Sequence, residues 1–225
     1  MANKTKNYKA ALEVFPKVAV SAEEAFEALG KAPKLGFDQT IELHFRLGVD
    51  TRQSDQQIRG MVALPSGSGK TVRVAVFAEG DAAEKAKAAG AEIVGSDDLM
   101  KDIQGGMLDF DAVVATPDQM SKVGRLGKIL GPRGLMPNPK LGTVTPNVDK
   151  AIADLKGGKV EYRADKFGIC HVICGKMSFT KDMLLMNYNA ILDAILRAKP
   201  AAAKGRYIKS IAVSATMTPS IKITE

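Results

Sequence analysis

The chain of 225 residues is 45% hydrophobic and 25% charged, an ordinary composition for a soluble protein of one or two domains. Its net charge of +7 favours a polyanionic partner. No apolar run of about 18 residues occurs, and residues 1–12 lack the apolar region and cleavage site of a secretory signal. We therefore expect a cytoplasmic protein that has no membrane partner.

The amino-terminal part contains one helix signal and two strand signals. Ser21 and Glu24 have the spacing of a capping box, which predicts the start of a helix. Apolar and polar residues alternate in Thr40–Leu47, which predicts a strand with one buried and one polar face. Met61–Leu64 is predicted to be a further strand.

Strands and helices alternate in the middle of the chain, from Thr71 to Lys156. The predicted elements, in chain order, are strand Val72–Ala78, helix Gly80–Ala89, strand Ala91–Gly95, helix Asp97–Met107, strand Asp111–Ala115, helix Pro117–Leu130 and helix Pro146–Lys156. A strand near Thr143–Thr145 is left open. Short apolar strands separated by helices favour a small parallel sheet of the Rossmann-like, three-layer α/β kind.

The last part of the chain returns to longer strands. Predicted strands are Val160–Arg163, Phe167–Cys174 and Tyr207–Ala215, and a helix is expected to begin at Thr180 and end near Lys199. Together with the amino-terminal elements they favour an antiparallel α+β sandwich of the split βαβ kind.

The predicted fold is therefore α/β with two domains. A discontinuous domain comprises residues 1–66 plus 159–225, and an inserted domain comprises residues 67–158. The two crossings between them are rich in glycine, at Gly67 and Gly69 and at Gly157 and Gly158. Such crossings suit a hinge, although two ordinary turns would have the same composition.

The excess positive charge is unevenly distributed. Residues 67–158 contain 12 basic and 12 acidic residues, so this segment has no net charge. Residues 1–66 contribute +1 and residues 159–225 contribute +6. The discontinuous domain is therefore the expected binding surface for a polyanion.

One segment of the neutral domain is nevertheless strongly basic. Residues 124–142 contain five glycines, three prolines, four basic residues and no acid. Its cations define what we call the basic loop: Arg125, Lys128, Arg133 and Lys140. An ordered loop that faces phosphates and a surface loop with solvated charges both fit this composition.

No motif indicates catalysis or a cofactor. The segment Leu64–Thr71 lacks the first glycine of a phosphate-binding loop and precedes a strand instead of a helix. The turn at Glu79–Asp81 has acids where a dinucleotide would place its pyrophosphate. Cys170 and Cys174 are about 13 Å apart on a strand, too far to share a zinc ion, so we expect reduced, buried thiols and no metal.

The order of residues in the basic segment is more informative than its composition. GRLGKILGPRGLMPNPKLGTV resembles the signature of the family of large-subunit ribosomal protein one, the bacterial stalk protein. FDQTIELHFRLGVD, SDQQIRGMVALP, GKTVRVAVFA and ATMTPS extend the resemblance over nearly the whole chain. It implies a non-enzymatic, ribosome-associated protein of the 50S subunit that is a monomer when free.

The resemblance also implies an RNA-binding site on the polar side of the discontinuous domain. Cations there can contact phosphates and hydroxyls can contact ribose 2′-OH groups. The residues that match the family pattern are Phe37, Thr40, Glu42, Ser210, Thr216 and Met217. The expected residues are Lys34, Phe37, Thr40, Glu42, Arg46, Arg52, Lys166, Lys209, Ser210, Thr216, Met217 and Thr218. A core position for Phe37 is equally compatible with the sequence.

Thr218 departs from the family pattern, which has glycine at this position. Two explanations remain open: the backbone does not need the freedom of glycine, or the RNA contact differs here. Implied partners are large-subunit ribosomal RNA, exit-site transfer RNA at the basic loop, and the protein's own messenger RNA, which it would repress. A nucleotide-binding enzyme and a non-ribosomal RNA chaperone are the alternative functions.

Overall fold

The computed structural model describes residues 5–33, 35–203 and 205–224. Its described residues divide between two compact units. One unit belongs to Met1–Gly69 and Val160–Glu225, and the other is Lys70–Lys159.

The strands and helices have the following bounds in chain order. The strands are β1 Thr40–Leu47, β2 Arg59–Ala63, β3 Val74–Phe77, β4 Ile93–Gly95, β5 Ala112–Ala115, β6 Lys159–Ala164, β7 Ile169–Lys176, β8 Ile208–Ala215 and β9 Ile221–Ile223. The helices are α1 Lys6–Val14, α2 Ala22–Gly30, α3 Asp81–Ala88, α4 Asp97–Gln104, α5 Met120–Arg125, α6 Gly127–Leu130, α7 Val148–Lys156 and α8 Lys181–Arg197.

The discontinuous unit is built on a six-stranded sheet of order β2-β6-β7-β1-β8-β9. The central strand β1 pairs antiparallel with both β7 and β8. Its apolar side chains Ile41, Leu43 and Phe45 are at most 1% exposed and share a core with residues of α2 and α8. Since side chains alternate along a strand, the polar residues of β1 lie on the opposite face, which we call the open face. The predicted antiparallel α+β architecture is confirmed.

The inserted unit contains a parallel sheet of order β4-β3-β5. Phe77 and Val113 face a cluster that includes residues of α4, α5 and α6, among them Leu130. The alternate residues Val74, Val76 and Val114 are buried on the other side, where α3 and α7 pack. Helices therefore cover both faces, which confirms the Rossmann-like three-layer fold.

Several predicted elements were wrong in extent. The single helix expected over Pro117–Leu130 is a 3₁₀ turn followed by α5 and α6, which are separated at Leu126 next to two glycines. Helix α4 ends at Gln104, because Gly105 and Gly106 follow it and Gly106 has a φ of +99°. The strand that the sequence left open near Thr143–Thr145 is reduced to one parallel bridge, from Val144 to Ala115.

The sequence analysis predicted neither α1 nor β9. By contrast, α2 begins with the expected capping box: Ser21 Oγ accepts from the Glu24 N–H, and Glu24 accepts from the Ser21 N–H, each at 3.2 Å. Thr180 is the N-cap of α8, as expected.

The crossing from β2 towards the inserted unit is fastened to α8 by Asn187, whose side chain is fully buried. The amide oxygen accepts from the Ser66 N–H at 3.0 Å. The amide nitrogen donates to the carbonyl oxygens of Gly67 at 3.1 Å and Cys174 at 2.7 Å. Gly67 and Gly69 have φ values of +73° and +71°, which favour glycine.

Replacing Asn187 by alanine should destabilise the discontinuous unit by about 1–3 kcal/mol, because three backbone groups lose their partner. Asn189→Ala is the matched control, since Asn189 is exposed on the same helix. Urea unfolding followed by circular dichroism would measure both variants. Equal stability of the two variants would contradict the role given to Asn187.

Candidate nucleic-acid interface

One end of the open face forms a platform of five residues: Phe37, Thr40, Lys176, Thr216 and Met217. Thr216 donates its N–H to the Thr40 carbonyl at 3.1 Å, and Thr216 Oγ1 accepts from the Thr40 N–H at 3.1 Å. These bonds join the start of β1 to the residue that follows β8. The side chains of Phe37 and Met217 are 51% and 54% exposed, so Phe37 does not occupy the core position that the sequence left open.

The turn that carries Met217 is fastened by its neighbours. Thr218 Oγ1 accepts from the Ala215 N–H at 3.0 Å, and the Thr218 N–H donates to the Ala215 carbonyl at 3.1 Å. In the described part of the chain, positive φ values occur at glycines alone, so Thr218 does not adopt one. The backbone at this position therefore does not use the freedom of glycine.

Lys176 belongs to the platform, although the sequence analysis did not select it. It lies opposite Thr40 in the β1–β7 register, and its Nζ donates to Thr40 Oγ1 at 2.8 Å. The register between these strands was the missing information, because 136 residues separate the two partners.

Other expected residues extend along the open face. Glu42 is half-buried on β1, and exposed Arg46 lies opposite exposed Ser210 of β8. Lys209 is exposed and lines a small depression with Lys222. Lys34, which we also expected here, lies outside the described residues.

Two histidines meet in the middle of the open face. The Nδ1 atoms of His44 and His171 are 2.8 Å apart, and His44 Nε2 is 2.9 Å from Ser214 Oγ. Burial lowers the pKa of the His44 imidazole, and the charge of His171 lowers it further, against an opposing effect of Glu42. A single proton between the two Nδ1 atoms satisfies both rings, so the pair favours a state that is not doubly charged.

Arg52 and Lys166 lie at a different edge of the sheet, where both line one cleft. The structure thus distributes the expected cations over the open face and its margins instead of gathering them at one point. Such a distribution suits a long polyanion better than a small anion.

The two cysteines are buried inside the discontinuous unit and are not bonded to each other. Burial raises the pKa of both thiols to about 12, so they remain protonated. His171 lies between them in sequence but is exposed, as alternation along β7 requires. In the described residues, no group of three or more His, Cys, Asp or Glu side chains is arranged to hold a metal ion.

All four cations of the basic loop are exposed, and none forms an ion pair with an acid that the structure describes. The loop is ordered by buried Leu130, Pro137 and Leu141 and by the Thr143 hydroxyl, which accepts from the Asn138 N–H at 2.8 Å. Neighbouring Lys122 differs, because its Nζ pairs with carboxylates of Glu79 at 2.9 Å and Asp97 at 3.0 Å. The loop therefore presents charge that no acid among the described residues pairs with.

The hinge glycines expected at the second crossing differ in conformation. Gly157 ends α7 with a φ of −71°, and Gly158 has a φ of +91°.

None of the described helices is long and apolar enough to span a bilayer.

Comparison with known proteins identifies relatives over almost the whole chain. Residues 28–219 match the model of the ribosomal protein L1p/L10e family. The large ribosomal subunit protein uL1 of Saccharopolyspora erythraea is 55% identical over 99% of this chain and 94% of its own length. The uL1 of Mycobacterium sp. (strain KMS) is 57% identical over 99% and 95%, and that of Lactobacillus acidophilus is 58% identical over 90% and 88%.

The geometry of the histidine pair predicts that the pKa of His44 lies below the ordinary histidine value. We expect the His44 ring to titrate below about pH 6.5, because its folded pKa is lowered. Its contribution to stability is then present above about pH 6.5 and is lost as the pH falls towards the folded pKa. The chain has two histidines, so NMR titration of the ring protons with His171→Gln for assignment would measure this directly.

The His171→Gln variant also tests the second cause of the lowered pKa, the charge of His171. In His171→Gln the pKa of His44 should rise, because one of the two lowering effects is removed. A midpoint for His44 at or above 6.5 in the unmodified protein would contradict this account.

Proposed function

The chain belongs to the ribosomal protein L1p/L10e family, whose members are structural, non-enzymatic proteins of the large ribosomal subunit, and we propose that its open face binds ribosomal RNA of that subunit. The supporting observation is a sheet face that the core helices α2 and α8 do not cover. Hydroxyls and exposed cations lie opposite each other on its paired strands. Helices that cover the other face hold this surface in one shape before RNA binds.

The distribution of charge also supports the discontinuous unit as the RNA-binding part of the chain. With the boundary at Gly69 and Lys159, the inserted unit has 13 basic and 12 acidic residues, whereas the rest of the chain has 19 and 13. The discontinuous unit therefore holds +6 of the net charge of +7. Phosphate contacts supply much of the affinity for RNA, so this unit is the proposed anchor.

The platform supplies contacts that charge alone does not. Phe37 offers an exposed aromatic ring and Met217 an exposed thioether side chain at the same end of the sheet. Thr216 Oγ1 already accepts from the Thr40 N–H. Because a hydroxyl oxygen has two lone pairs, it can accept a further bond from a ribose 2′-OH. Sites of this kind discriminate RNA from other polyanions.

We further propose that the protein represses translation of its own messenger RNA. A rigid face that binds ribosomal RNA by shape also binds a messenger that folds into the same shape. The free protein acts as a cytoplasmic monomer in this role. No second surface is needed, so binding of the two RNAs is mutually exclusive.

The basic loop is the proposed contact for transfer RNA at the exit site. Its cations have no partner in the described protein, and its backbone is ordered without them. The glycines at the two crossings, Gly67, Gly69, Gly157 and Gly158, are proposed to let the inserted unit change orientation and follow the departing transfer RNA. A single, unchanging distance between fluorophores on the two units in working ribosomes would refute this motion.

Arg46→Gln should weaken binding of a stalk RNA transcript and reduce the slope of log K against log salt by about 0.7–0.9, the value for one phosphate. Arg197→Gln is the matched control: it removes the same charge from an exposed position on α8, a helix of the covered face. Filter binding at several salt concentrations would measure both. The slope for the protein's own messenger should fall equally. Identical slopes for the two variants would refute the open face as the RNA site.

Replacing all four cations of the basic loop by glutamine should leave incorporation into the large subunit intact and weaken transfer RNA binding at the exit site. The loop keeps its fold because buried apolar residues, not the charges, order it. The matched control removes four exposed lysines elsewhere on the inserted unit: Lys85, Lys87, Lys101 and Lys150. A folded loop variant that is missing from purified subunits would show that the loop belongs to the anchoring site.

A further inference from the structure

An open cleft of about 550 Å³ lies beside the turn between β6 and β7. This volume falls in the range of roughly 300–1,000 Å³ that is typical of small-molecule sites. Its charged lining residues are Arg52, Arg59, Arg163, Lys166 and one acid, Asp165, and its aromatic ring is that of Phe167. Sequence analysis had selected Arg52 and Lys166 and none of the others.

Phe167 is the most unusual member, because its side chain is 70% exposed. The turn that carries it is tightly fastened: Asp165 Oδ1 accepts from the N–H groups of Phe167 and Ile169, both at 2.8 Å. Gly168 has a φ of +73°, and an added Cβ would lie 3.2 Å from two carbonyl oxygens. The ring is therefore held out by an ordered backbone, which lowers the entropy cost of stacking a partner on it.

Most cations of the cleft form no ion pair with a described acid. Arg59 pairs with Glu161 at 2.7 Å. No ion pair joins Arg52, Arg163 or Lys166 to an acid in the described ranges. The Lys166 Nζ lies 5.1 Å from the centre of the Phe167 ring, so a cation and an aromatic surface are presented together.

The cleft is continuous with the open face. Arg163 lies opposite His171 in the β6–β7 register, and His171 lies opposite His44 of β1. A polyanion on the open face would thus reach the cleft by crossing two neighbouring strands, about 10 Å in all at the usual strand spacing.

We propose that this cleft holds one unpaired nucleotide of the bound RNA, with its base stacked on Phe167 and its flanking phosphates contacted by Arg52, Arg163 and Lys166. The proposal rests on the proposed function of the open face. An aromatic ring beside cations is how proteins bind single-stranded nucleic acid, because every unpaired base offers a flat surface and a phosphate. A paired base would offer no free surface to the ring.

The test uses the full chain and a stalk RNA transcript. Phe167→Leu keeps an apolar side chain but removes the stacking surface, so affinity should fall about 5- to 150-fold, the equivalent of 1–3 kcal/mol per stacked base. Phe167→Tyr should bind as the unmodified protein does. Neither change should alter thermal melting, because the side chain is exposed. Arg163→Gln should reduce the salt slope by about one phosphate.

A scan of abasic substitutions in the transcript identifies the nucleotide. At one unpaired position, removing the base should weaken the unmodified protein and leave Phe167→Leu unaffected. If no position shows this coupling, or if Phe167→Leu binds normally while Arg46→Gln is impaired, the proposal is wrong and the proposed function stands. Normal RNA affinity with defective incorporation into the subunit would identify a protein as the occupant, which also overturns the proposal. If the unmodified protein does not bind the RNA, the proposed function fails as well.

Discussion

The antiparallel pairing of β1 with β7 on one side and β8 on the other decides what the open face presents. Side chains alternate along a strand, so a slip of one residue would bury Glu42 and His44 and expose Leu43 and Phe45. Leu43 and Phe45 are completely buried, and removing each from water stabilises the fold by about 1.5–3 kcal/mol. The hydrophobic core thus fixes the register, and the arrangement of polar groups on the outside is its consequence.

One row of residues illustrates how far that consequence extends. Across the strands, Arg163 lies opposite His171, His171 opposite His44, His44 opposite Ala212, and Ala212 opposite Lys222. The row therefore has a cation at each end and two mutually hydrogen-bonded imidazoles in the middle. Because burial and His171 lower the pKa of His44, the permanent charges of the row are those at its margins, where a long polyanion can contact both. The same register that protects the core sets the spacing of the proposed phosphate contacts.

Local patterns in the sequence were sufficient for elements whose signals are local. Alternation gave β1 its observed bounds, and the capping box of α2 involves residues three apart. Helix α1 buries one residue, Ala11, and β9 has only three residues, so both are short signals. The histidine pair was not predictable, because 127 residues separate its members and only the strand register brings them together. Lys176 of the platform was not predicted for the same reason, since 136 residues separate it from Thr40.

Net charge alone does not describe the inserted unit, because counting charges does not say which of them are already paired. The nearly neutral inserted unit neutralises Lys122 with two carboxylates, and the bond to Glu79 contributes most to the raised pKa of that lysine. The basic loop begins three residues later and contains no acid that could do the same. Arg125 and Lys128 lie on the short helices α5 and α6, whereas Arg133 and Lys140 lie in the glycine- and proline-rich segment that follows. Charge that is unpaired and held on an ordered backbone remains available to phosphates even in a domain whose net charge is close to zero.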